Sequence, residues 1–161
     1  MQKTTLKQIL VTKEGLKKME EELEYLITIR RKEVIDMIGI AKAFGDLSEN
    51  SEYDEAKNEQ AKVEARIIEL EEQLKHVKVV EEKDIKTDVA NIGTKIRVRN
   101  LSLDKEIVYS LVGSTEADPF KLKISDESPI GKVLMGRKKG ETVRYETPKG
   151  EFQLEILEIS K

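Results

Sequence analysis

Two carboxylates three positions apart, Asp46 and Glu49, stand in the run Gly45-Asp46-Leu47-Ser48-Glu49-Asn50-Ser51-Glu52-Tyr53. On helical turns, side chains at this spacing share a face, with Cβ atoms about 5–6 Å apart. Such a pair suits a shared divalent cation, and Mg2+ commonly takes one or two carboxylates while keeping several waters. Two carboxylates alone hold Mg2+ weakly in water, so a second macromolecule would have to supply the remaining ligands. The same residue types also serve chain reversal. Asp, Ser and Asn are good N-caps, and acids favour helix amino termini. A turn needs one or two of them, whereas Asp46, Glu49, Glu52, Asp54 and Glu55 cluster here with little basic compensation.

The flanking sequence says what must carry this run. Before it, apolar positions step by three and four through Leu16, Met19, Leu23, Leu26, Arg30, Val34, Met37, Ala41 and Phe44. After it, the pattern resumes through Tyr53, Ala56, Gln60, Val63, Ile67, Leu70, Leu74 and Val77. These steps are the signature of a helix seam packed on another helix. Paired from the middle outward, the residue numbers add to a near-constant, as an antiparallel hairpin requires. Half of that constant falls between Ser48 and Glu49. The acids therefore sit at the turn of a rod whose arm, Leu16 to Phe44, is about 42 Å long at about 1.5 Å per residue. Arg30 interrupts the seam with two successive steps of four, which predicts a local irregularity. Tyr53 faces Phe44 in this register and can pack there or contact a ligand at the tip. Lys42 and Lys57 fall at nearly the same height on the two arms. They can steer phosphates or simply be solvated.

The chain has 161 residues, of which 38% are charged, yet the net charge is only −3. Mixed charge suits an exposed helical rod and gives no bulk attraction to nucleic acid. There is no cysteine, which excludes disulfides and thiolate metal sites and fits a reducing compartment. No apolar run approaches the roughly 20 residues of a membrane span, and residues 1–11 lack the apolar stretch of a secretory signal. A cytoplasmic, non-membrane protein is expected.

The predicted division is 1–80 for the coiled-coil hairpin and 81–161 for a globular domain. Thr12 opens the first helix, and the second should run from Ser51 to about Val80 with Asn50 or Ser51 as its cap. Beyond the charged linker Glu81-Glu82-Lys83-Asp84 the period becomes two. Residues 94–99, 106–112, 141–146 and 151–159 read as strands. Ser128-Pro129 begins a short helix that Gly136 ends, and Pro148-Lys149-Gly150 turns the last hairpin. The fold class is α+β, with an antiparallel two-helix coiled coil followed by a small antiparallel sheet carrying one short helix. His76 reads as a solvated helix residue without partner ligands.

The tip run, with Ala56 and Gln60, resembles the tip motif of the bacterial Gre transcript cleavage factors, closer to the GreA type. Ser125-Asp126-Glu127-Ser128-Pro129-Ile130-Gly131, Leu134-Met135-Gly136 and Gly140-Glu141 resemble the family's carboxy-terminal signature. Lys42 stands where arginine is common, and Val133 where alanine is common. The resemblance implies an FK506-binding-protein-like second domain. It implies entry of the coiled coil into the secondary channel of bacterial RNA polymerase, with the backtracked RNA 3′ end as the second partner. Asp46 and Glu49 would help hold a Mg2+ shared with the polymerase and orient the attacking water, in a two-metal hydrolysis. Tyr53, Lys42 and Lys57 would lie near the RNA. The factor itself would be no enzyme, would hold no cofactor tightly alone, and would act as a monomer. A channel-binding regulator that does not promote cleavage is the alternative; such relatives alter the acidic tip.

Overall fold

The computed structural model describes residues 8–46 and 49–161. The chain divides into two compact units, Lys17–His76 and a second formed by the residues up to Leu16 with Val77–Lys161. This differs from a division at residue 80. The reason is a pair of short strands, β1 (Ile9–Val11) and β2 (Val77–Val79), which pair in parallel with Ile9 opposite Val77. Val77 and Val79 are β-branched and suit a strand. The second long helix therefore stops at Lys75 rather than near Val80, and Val77 is not a seam residue.

In the hairpin unit, α1 (Lys13–Tyr25) passes through a π-helical turn, Leu26–Arg30, into α2 (Arg31–Ala43). The irregularity expected at Arg30 is this turn. Thr28 contributes to it by donating its hydroxyl to the Glu24 carbonyl at 2.7 Å, a side-chain bond that bends helices. The antiparallel partner is α3 (Ser51–Lys75). The seam buries Val34, Ile38 and Ala41 on one arm and Ala56, Val63, Ile67 and Leu70 on the other. The extra residue of the π turn keeps the step at four once more after Val34. Ile38 therefore faces inward, and Met37, expected in the seam, is exposed. Arginine–glutamate pairs close the flanks. Arg31 makes two bonds to Glu64, at 2.7 and 2.8 Å. Arg66 makes two to Glu22, at 2.7 and 2.9 Å. Arg30 reaches Glu59 at 2.9 Å. His76 caps the end of α3, and its Nε2 lies 3.1 Å from Glu72, so it has a partner that the sequence did not suggest.

The second unit is built on a five-stranded sheet of order β5-β4-β3-β7-β6. Its strands are β3 (Lys95–Asn100), β4 (Lys105–Val112), β5 (Lys123–Ser125), β6 (Thr142–Thr147) and β7 (Gly150–Ser160). All neighbours are antiparallel except β4 and β5. The helix α4 (Pro129–Leu134) starts at Ser128, whose Oγ accepts from the Gly131 N–H at 3.0 Å. Strand alternation puts Ile96 and Val98 inside and Lys95, Arg97 and Arg99 outside. The inner residues join Tyr109, Leu111, Leu134, Val143, Leu154 and Ile156 in one core. This is the α+β architecture expected, with β5 and the β1–β2 ribbon added. Among the described residues no helix is long and apolar enough to cross a membrane.

Candidate functional site

The tip begins where α2 fails. Phe44 and Gly45 turn their N–H groups back onto the carbonyls of Ala41 and Lys42, at 3.3 and 3.2 Å. Gly45 then takes φ +99°, a left-handed conformation that suits glycine and ends the helix. Phe44 is thereby turned out of the seam and is 72% exposed, so it does not pack opposite Tyr53. Tyr53 instead rests, half-buried, on the cluster of Val34, Ile38, Ala56, Val63 and Ile67.

α3 begins at Asn50, which is extended at φ −95° and ψ 94°. Its Oδ1 accepts from the Tyr53 N–H at 3.1 Å, and its Nδ2 donates to the Ala41 carbonyl at 2.8 Å. Glu52 and Asp54 occupy the first turn of α3, where the helix dipole favours negative charge.

Asp46 and Glu49 lie between the two helices, both exposed. Neither is on a helical turn, so the shared-face spacing of a helix does not apply to them. They nevertheless line one open, shallow concavity together with Phe44, Asn50, Ser51 and Glu52. Leu47 and Ser48, the middle of the motif, lie outside the described residues. Lys42 is exposed in the last turn of α2. Lys57 is exposed on α3 and donates to Gln60 Oε1 at 2.9 Å. A second small hollow lies beside the tip, lined by Met37, Ile40 and Ala41 of one arm and Glu52, Glu55 and Ala56 of the other.

The donor set of the tip fits a hard cation only in part. Two exposed carboxylates supply oxygen ligands of the kind Mg2+ takes, and an open concavity leaves room for its waters. Among the described residues no group of three or more His, Cys, Asp or Glu side chains gathers around one point. The role of Asn50 was the part the sequence understated. A cap was expected there from residue type, but the second bond to Ala41 depends on the hairpin being closed.

Comparison with known proteins gives the same family for both halves. Residues 9–79 match the family model described as transcription elongation factor, N-terminal, and residues 85–161 match the GreA/GreB carboxy-terminal model. The transcription elongation factor GreA of Caldanaerobacter subterraneus subsp. tengcongensis is 57% identical over 96% of this chain and 99% of its own. That of Thermoanaerobacter pseudethanolicus is 58% identical over the same shares. Among solved structures, the GreA factor homolog 1 (Gfh1) protein of Thermus thermophilus is 27% identical, covers 96% of this chain and 100% of its own, and superposes with a TM-score of 0.45. On the two matched models and the near full-length identity, the chain belongs to the GreA/GreB family of transcription elongation factors.

Proposed function

We propose that this factor inserts its hairpin tip into the secondary channel of bacterial RNA polymerase and stimulates the polymerase's own cleavage of backtracked RNA. The observation that carries the reading is the pair Asp46 and Glu49, held exposed around one concavity at the closed end of an antiparallel hairpin. A carboxylate pair presented this way is incomplete alone and suited to being completed by a second protein. Asp46 and Glu49 would be this chain's ligands to a Mg2+ shared with the polymerase. When bound, the ion stabilises charge developing on the phosphodiester. The carboxylates also accept hydrogen bonds from water and so orient the attacking molecule towards the RNA. Lys42 and Lys57, exposed on either side of the tip, attract RNA phosphates. Tyr53 braces the first turn of α3 from within the seam. The factor has no nuclease activity of its own in this scheme, because the reacting phosphate and the rest of the coordination shell belong to the polymerase complex.

The test is a stalled, backtracked bacterial elongation complex with Mg2+, read by shortening of the labelled RNA. The parent protein should accelerate shortening, and an Asp46→Asn/Glu49→Gln variant should lose that acceleration while still competing for polymerase. Full acceleration by the double variant would overturn the assignment. Cleavage of RNA by the factor without polymerase would overturn the division of labour.

A further inference from the structure

We propose that Asn50 is a positioning residue for the tip carboxylates, a clamp that ties the end of α2 to the start of α3. The inference rests on the function proposed above and deepens it. A helix leaves its first N–H groups and last carbonyls without partners. One amide side chain here serves an end of each helix, adding a second donor to the Ala41 carbonyl, which also accepts from the Phe44 N–H at 3.3 Å. Oδ1 accepts from the Tyr53 N–H of α3, and Nδ2 donates a hydrogen bond to the Ala41 carbonyl of α2. The partners fix which end of the amide faces which, since a backbone N–H can only donate and a carbonyl can only accept.

The clamp sits at the root of the tip. Ala41 and Ala56 are the last buried positions of the two arms before the turn. Beyond them nothing apolar is buried among the described residues, and Phe44 points outward. Only Tyr53, half-buried on the seam cluster, packs closer to Asp46 and Glu49, and there the Asn50 amide ties the end of one arm to the start of the other. Asn50 itself lines the concavity that the two acids share. A residue that only capped α3 could be Ser, Thr or Asp with little loss. Asp keeps the acceptor for Tyr53 but turns a second oxygen towards the Ala41 carbonyl, acceptor against acceptor. Ser keeps the cap and reaches nothing further. Asn is the residue that does both.

Asn50→Asp separates the two roles. It retains the N-cap and should leave far-ultraviolet helicity and competition for polymerase within about threefold of the parent. The maximal cleavage rate at saturating factor should fall at least about tenfold, since small misplacements in a positioned reaction cost up to about a hundredfold. Asn50→Ser should behave the same way. A parallel readout needs no activity. In 15N relaxation, the order parameters of Gly45, Asp46 and Glu49 should fall in Asn50→Asp while that of Tyr53 holds. A parental cleavage rate in Asn50→Asp would overturn the clamp, as would weakened polymerase binding that accounts for the whole loss. If the parent protein itself fails to stimulate cleavage, the functional reading fails. The clamp is then judged on the relaxation data alone, where unchanged order at Gly45, Asp46 and Glu49 would overturn it.

Discussion

The two units hide their apolar residues in different ways. In the sheet unit, nine buried residues from β3, β4, β6, β7, α4 and the segment at Ala90 surround one another in a single core. In the hairpin, the cluster of Val34, Ile38, Ala56, Val63 and Ile67 forms one strip between two helices, with Leu23, Leu26 and Tyr53 along its edge. Within this unit, among the described residues, the strip is two helices thick. Its flanks are closed by charge instead, through Arg30, Arg31 and Arg66. A core with neighbours on all sides makes a rigid body. A strip with water on its outer faces makes a spacer, whose useful property is where it ends. The tip carboxylates are exposed and lie past Ala41 and Ala56, the last buried positions of the two arms.

The largest effect should come from changing that end point. Deleting Glu33–Gly39 together with Asn58–Glu64 removes one heptad from each arm and avoids the π turn. The seam stays in phase, and each arm shortens by about 10 Å at about 1.5 Å per residue. The variant should remain helical by circular dichroism, and stimulated cleavage should fall by at least about a hundredfold. A folded, shortened factor that stimulates at the parental rate would show that the hairpin is not a spacer.

Next in size is a cavity in the other unit. Leu134 of α4 is fully buried in the sheet core, and Leu134→Ala should cost about 2–5 kcal/mol. Calorimetry should show the sheet unit's transition moving down while the hairpin's stays. If both transitions move together, the contrast between rigid body and independent spacer is wrong, and the chain melts as one cooperative structure.

Two glycines sharpen the same contrast at a smaller scale. A Cβ on Gly15 would collide with the Glu116 carboxylate. That carboxylate accepts from the Thr12 N–H at 2.9 Å and the Thr12 hydroxyl at 2.5 Å, while the Thr12 hydroxyl caps the Gly15 N–H at 3.0 Å. A Cβ on Gly39, in the hairpin, would meet nothing within 4 Å. Gly39→Ala should therefore stabilise by up to about 1 kcal/mol, the helix-propensity difference. Gly15→Ala should destabilise by about 1–3 kcal/mol, because Glu116 must leave and its charged hydrogen bonds go with it. Chemical denaturation checks both signs. In a Glu116→Ala background the cost of Gly15→Ala should vanish, a coupling that a double-mutant cycle measures.

The hairpin was legible because its register is written twice, once in each arm, and the acidic run sits at the centre of that symmetry. The strands of the sheet were legible from period two, to within a residue or so at each end of β3, β4, β6 and β7. What escaped depends on contacts distant in sequence. Three-residue strands such as β1 and β2 carry no periodicity worth reading, and their parallel pairing joins the two ends of the hairpin's sequence. Ile38 displaced Met37 because the phase after a π turn is set by how far the slip propagates, which no single arm records. Phe44 fits the heptad but lies just past Ala43, where the helix has already ended. For Asn50 the cap could be read from residue type, whereas its bond to Ala41 exists only once the arms have met.

The smallest expected effect is on the hairpin's charged flanks. Glu59 is held below the usual carboxylate range first by its hydrogen bond from Arg30, and Glu64 likewise by Arg31. Both arginines are made more basic in return and stay charged at every accessible pH. A carboxylate with a lower pKa folded than unfolded adds stability that is complete above the unfolded value, about 4.3 for Glu. That stability drains away as pH falls through the folded value. The hairpin's melting temperature should thus lose nothing to these pairs between pH 8 and 6 and should decline below about pH 4.5. The side chains are roughly a third exposed, and exposed pairs contribute little. Removing both arginines, as Arg30→Gln/Arg31→Gln, should therefore lower the neutral-pH Tm by only a few degrees and flatten the acid limb relative to the parent. Added salt should shrink the difference between the two proteins, since screening acts on exposed charges. An acid limb unchanged by the double substitution would mean that the flanking pairs contribute nothing to holding the arms. The apolar strip alone would then hold the spacer together, and the comparison with the sheet core would reduce to the amount of surface each one buries.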